Sequence, residues 1–128
     1  MKVINPVLPG FNPDPSLVRV GDDYYIATST FEWFPGICIH HSKDLVNWEI
    51  LSYALTDETK FDIKGMDTAC GIWAPNLTYD NGTFYLIYTI VYTNRHRFKD
   101  THNFMVTATD PQGPWSAPIP LNKMGFDP

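Results

Sequence analysis

Two aspartates sit between or beside prolines, and their surroundings suit proton transfer. Asp14 lies in Gly10-Phe11-Asn12-Pro13-Asp14-Pro15, and Asp127 in Gly125-Phe126-Asp127-Pro128. Pro13 and Pro15 fix the backbone on either side of Asp14 and remove two N–H donors. The carboxylate is therefore held stiffly, while its immediate neighbours cannot supply those hydrogen bonds. Such placement suits a catalytic base, and it equally suits a structural turn. Large aromatics accompany the carboxylates in Phe31-Glu32-Trp33-Phe34 and Gly71-Ile72-Trp73-Ala74-Pro75. Ring faces stack on the C–H surfaces of sugars, and carboxylates bind hydroxyls and move protons. The competing use of a Trp or Phe is to fill a core, and for Trp48 and Trp115 that reading is preferred.

A repeat determines how these residues could meet. Residues 15–29 (PSLVRVGDDYYIATS) align without a gap on residues 75–89 (PNLTYDNGTFYLIYT), sixty positions on. Pro15 meets Pro75, Leu17 meets Leu77 and Tyr25 meets Tyr85. A looser match pairs the segment ending in Trp48 with that ending in Trp115. Pro128 then begins a third unit. Asp14, Ala74 and Asp127 become equivalent positions, which would face one central mouth if the units are arranged around an axis.

The units read as β. Tyr24-Tyr25-Ile26-Ala27-Thr28 and Ile37-Cys38-Ile39-His40-His41 are rich in β-branched and aromatic residues, and turn signals bound each run. Asn81-Gly82 supplies the positive-φ pair of a tight hairpin. No stretch has a convincing helical period. About four strands per unit fits a blade of a β-propeller, with blade 1 over about 15–55, blade 2 over about 75–120, and residues 126–128 beginning blade 3. A β-sandwich is the alternative, but it does not require units that match so closely.

A net charge of −5 with a pI near 5.1 argues against a general nucleic-acid or anionic-membrane binder. The one basic cluster, Arg95-His96-Arg97-Phe98-Lys99, reads as a solvated loop. The N-terminus lacks an apolar signal core and no run reaches membrane-spanning length, so a cytoplasmic location is the default expectation. Cys38 and Cys70 are then free thiols. The spacing of His40, His41, His96 and His102 matches no metal set, and no metal ligands are assigned.

Several motifs, in order, carry a resemblance: Asn5-Pro6-Val7-Leu8, Gly10 to Ser16, Tyr24 to Gly36, His40 to Leu45, Gly71 to Pro75, Trp115-Ser116 and Gly125-Phe126-Asp127. Together they resemble the N-terminal part of β-xylosidases of glycoside hydrolase family 43, over essentially all 128 residues. The resemblance implies an all-β, five-bladed propeller, of which this chain supplies about the first two blades and the start of the third. It implies removal of terminal β-D-xylose from xylo-oligosaccharides, with inversion. Position in the motifs gives Asp14 the role of general base and Asp127 that of orienting the general acid and tuning its pKa. Phe31, Trp73 and Ala74 become substrate-binding. Lys99-Asp100 and His102-Asn103 also match a family segment and receive no catalytic role.

The family's general acid is a glutamate from a later blade, and Glu32, Glu49 and Glu58 do not match its context. The expectation is a truncated xylosidase that is inactive or weakly active alone. No cofactor is required. A structural divalent cation such as calcium, and homo-oligomerisation of the full-length protein, are left open. Two alternatives stand beside this reading: an α-L-arabinofuranosidase on the same scaffold, and a non-catalytic sugar-binding or assembly fragment.

Overall fold

A computed structural model describes residues 3–128. The first sheet contains β1 (Ser16–Val20), β2 (Asp23–Thr28), β3 (Gly36–Ser42) and β4 (Glu49–Leu55), paired antiparallel in that order. The second contains β5 (Gly71–Ile72), β6 (Asn76–Asp80), β7 (Thr83–Thr93), β8 (Asp100–Ala108) and β9 (Ile119–Asn122). β7, β8 and β9 follow one another across this sheet, while β6 and β5 share the free edge of β7. Among the described residues there is no helix.

Turn chemistry sets the registers. Asn81 and Gly82, with φ of 44° and 83°, make the two-residue turn that pairs Asp80 with Thr83. In the first sheet Gly21, at φ 62°, takes the positive-φ position of the turn that pairs Val20 with Asp23. The two hairpins are the repeat seen in the sequence: β1 and β2 correspond to β6 and β7. The second sheet differs from a four-stranded unit because β7 runs for 11 residues and outreaches β6. Its far half, at Ile90 and Val91, pairs with β5.

The sheets pack face to face over one apolar core. Ala27, Ile37, Ile39 and Leu55 of the first meet Leu77, Phe84, Leu86 and Val106 of the second. Phe61 and Ile63, from the segment joining the sheets, close the edge of this layer. Tyr25 and Phe84 meet edge to face across the joint, with ring centroids 5.4 Å apart. Trp115 packs against this core, whereas Trp48 is only half-buried and its indole N–H donates to the Leu45 carbonyl at 3.1 Å. The expected equivalence of these two tryptophans therefore breaks down: Trp48 closes the turn capped by Asp44 instead of filling the core.

At the inner edges, β1 lies beside β6, and the Leu77 amide donates to Ser16 Oγ at 2.9 Å. The segments just before these strands, which carry Asp14 and Ala74, consequently open at the same end of the layer.

Candidate active site

Asp14 occupies the turn before β1, with φ of 53°. Aspartate tolerates this left-handed region better than most residues, but a following proline disfavours it, so the turn must be held from outside. Ser29, fully buried just beyond β2, does so twice. Its N–H donates to the Pro13 carbonyl at 3.1 Å, and its hydroxyl donates to Asp14 Oδ2 at 2.6 Å. Among the described residues this is the one side-chain hydrogen bond to Asp14, whose residue is otherwise exposed.

An aromatic wall is built from β5 and the loop after β2. Phe31 and Ile72 exchange backbone hydrogen bonds, each 2.9 Å, which brings Phe31 beside Trp73. Phe31 has φ of 50°, an outlier for a bulky residue. The close approach is allowed by Gly71, at φ 88°, because a Cβ there would lie 2.2 Å from the Phe31 carbonyl oxygen. Trp73 is fixed at both ends: its N–H donates to the Thr89 carbonyl at 3.0 Å, and its indole N–H to the Ala69 carbonyl at 2.9 Å. The rings then run in an arc. Phe11 and Phe31 have centroids 5.9 Å apart, Phe31 and Trp73 6.5 Å, and Trp73 and Phe126 5.3 Å. Lys99 Nζ lies 5.2 Å from the Phe126 ring centroid and 5.9 Å from that of Trp73. Trp33 stands apart, 65% exposed on the rim.

Asp127 arrives from the far edge of the second sheet. It shares the left-handed conformation of Asp14, with φ of 58°, and also precedes a proline. Its carboxyl is pushed above the usual aspartate range, first by the protein packed around it and then by the negative charge of Asp14; the backbone amide of Ala74 pulls the other way. The three positions equated by the repeat thus meet: the Asp127 carboxyl lies within range of the charge of Asp14, with the Ala74 amide beside it. The Asn76 side-chain Nδ2 also donates to the Pro128 carbonyl at 3.4 Å.

Asp14, Phe31, Trp73, Ala74 and Asp127 form a single neighbourhood. Sequence reasoning missed Ser29, although its alignment with Thr89 marked a hydroxyl recurring at one place in both units. It put Lys99 in a solvated loop, whereas its ammonium lies over two rings, and no local signal marks that placement. The glutamates are engaged elsewhere. Glu32 accepts the Ala69 N–H at 3.1 Å, Glu49 lies 3.3 Å from His41 Nδ1, and Glu58 pairs with Lys64. Among the described residues no three His, Cys, Asp or Glu side chains gather as a metal site would require.

This arrangement of paired carboxyls against an aromatic arc suits a pocket for a sugar. The family model for Glycosyl hydrolases family 43 matches residues 3–128. The chain belongs to that family. It is 57% identical to Xylosidase/arabinosidase 43B of Humicola insolens over 99% of its own length and 24% of that protein's. It is 56% identical to the Beta-xylosidase of Bacillus subtilis, again over 99% of itself and 24% of the relative. The crystal structure of xylan beta-1,4-xylosidase from Bacillus halodurans superposes with a TM-score of 0.96 at 61% identity, covering 99% of this chain and 24% of that one. The chain therefore spans about a quarter of the length of the family 43 relatives it matches. Its two sheets are the first part of a five-bladed propeller fold.

Proposed function

We propose that this chain carries the base-bearing part of the active site of an inverting β-xylosidase that removes terminal β-D-xylose from xylo-oligosaccharides. The observation that carries the reading is the convergence of Asp14 and Asp127 at one mouth, beside the Phe31 and Trp73 rings. Asp14 is the general base. Ser29 satisfies one of its oxygens and fixes its direction, and the other is left to accept a proton from the attacking water. As the water oxygen bonds to the anomeric carbon from one face, the glycosidic oxygen leaves from the other and takes a proton from a general acid.

An inverting pair of carboxyls stands roughly 6.5–9.5 Å apart, leaving room for that water. The acid must hold its proton until the transition state, and a neighbouring negative charge raises its pKa. Asp127 supplies that charge and orients the acid. Its own carboxyl is pushed above the usual range first by its partial removal from water and then by the charge of Asp14. Phe31 and Trp73 stack on the terminal sugar, and Ala74 borders the same wall. The acid itself comes from segments that the relatives carry outside these residues.

The test is hydrolysis of an aryl β-D-xyloside by the full-length protein, with the first-formed anomer followed by NMR. Appearance of α-xylose first supports the reading; β-xylose first would overturn the inverting mechanism and the role of Asp14 with it. Since two relatives are named for both xylosidase and arabinosidase, an aryl α-L-arabinofuranoside is assayed in parallel. Faster turnover of the arabinoside would replace the substrate assignment and leave the mechanism intact. The same assay on the 128-residue chain alone is expected to show little or no turnover.

A further inference from the structure

The position of Asp127 has a weak local basis. Residues 119–128 are exposed throughout, and beyond the end of β9 at Asn122 the one ring contact that holds the segment is that of the half-covered Phe126 with Trp73. The strongest side-chain tether on that segment is Asn103, 7% exposed in β8. Its Nδ2 donates to Asn122 Oδ1 at 2.8 Å and to the Met124 carbonyl at 3.0 Å, with the Gly125 carbonyl at 3.5 Å. Asn122 Oδ1 also accepts the Met124 N–H at 3.0 Å, which closes the turn on itself. Asn103 Oδ1 accepts the hydroxyl of the fully buried Thr89 at 2.6 Å. The opposite amide orientation would set Oδ1 against three oxygens, so the network fixes which way Asn103 points. The β8–β9 register shifts between Asn103 and Phe104, and a bulge of this kind re-aims a side chain.

The repeat gives this tether a meaning. Ser29 and Thr89 are equivalent positions, sixty residues apart. In the first unit the hydroxyl holds Asp14 directly. In the second the matching position is Ala74, which has no carboxyl, and the Thr89 hydroxyl is spent on Asn103 instead. We propose that Asn103, braced by Thr89, is the positioning residue that holds Asp127 over the pocket through the 122–125 turn. The inference rests on the role given above to Asp127.

The test compares Asn103→Ala, Asp127→Ala and the double variant in the full-length protein, using the pH dependence of aryl β-xyloside hydrolysis. Losing the charge of Asp127 lowers the pKa of the general acid, so the alkaline limb of kcat moves to lower pH. Asn103→Ala is expected to move that limb the same way, to lower kcat by about 10- to 100-fold through misplacement, and to add little to Asp127→Ala. A uniform fall at every pH, or effects that multiply in the double variant, would overturn the proposal. Should Asn103→Ala fail to fold, Thr89→Val carries the same comparison, and Thr89→Ser, which keeps the hydroxyl, is expected to restore the profile. A crystal structure of the variant separates this inference from its parent. Displaced 122–127 residues with an unmoved profile would keep the tether and overturn the role of Asp127, whereas undisplaced residues would overturn the tether.

Discussion

Asp14 and Asp127 share a motif and a left-handed backbone, yet they are held differently. Asp14 is bonded by Ser29 and open to water, which suits a base that must meet a mobile nucleophile. Asp14→Ala is expected to lower kcat by about 10²–10⁴-fold, the usual worth of general acid–base catalysis, measured on the aryl xyloside. Asp127 has its carboxyl pushed above the ordinary range by its surroundings and by Asp14. A folded-state pKa raised in this way contributes stability that is fully present below the unfolded value and is lost as pH rises through the folded one. Ionised Asp127 therefore costs stability at neutral pH. Asp127→Asn is expected to raise Tm at pH 7 and to change it little near pH 3; equal changes at both pH values would show that charge is not the cause. The stiff setting of Asp14 was legible from its two prolines. The Ser29 bond was not, because it joins residues fifteen apart that only the β1–β2 hairpin brings together.

The elements that hold the pocket are short, and their strain is local. β5 has two residues, and it brings Trp73 to Phe31 only because Gly71 lets the backbones touch. Gly71→Ala would place a Cβ against the Phe31 carbonyl at positive φ, at an expected cost of more than about 1 kcal/mol and with a raised KM, read by denaturant unfolding and by kinetics. The core between the sheets is independent of that junction. Leu86→Ala, at a fully buried position in β7, is expected to cost about 2–5 kcal/mol while sparing substrate affinity in the folded fraction. Strands β2 and β3 were legible from runs of β-branched and aromatic residues bounded by turn signals, and the β6–β7 turn from Asn81-Gly82. β5 and β9 were not: one is two residues long, and the other, Ile119–Asn122, is exposed on every residue and contains a proline. No hydrophobic period marks such strands; partners already in place define them.

At the scale of the whole molecule, the repeat is the device that assembles the site. Two similar hairpins lying side by side turn a separation of sixty residues into adjacency. The segment after β9 then brings a second carboxyl to the same place. The family fold was legible because the repeat and the ordered motifs agree. The tether through Asn103 was not, since it depends on a bulge and on which edge β9 joins. Water activation by Asp14 underlies the whole mechanism. The most direct measurement is kcat for an aryl β-D-xyloside with full-length wild-type and Asp14→Ala protein at the same pH. A loss of about 10²-fold or more, with the fold intact by circular dichroism, is the predicted result. A variant that turns over at a near-native rate would contradict the assignment and leave the paired carboxyls without their proposed chemistry.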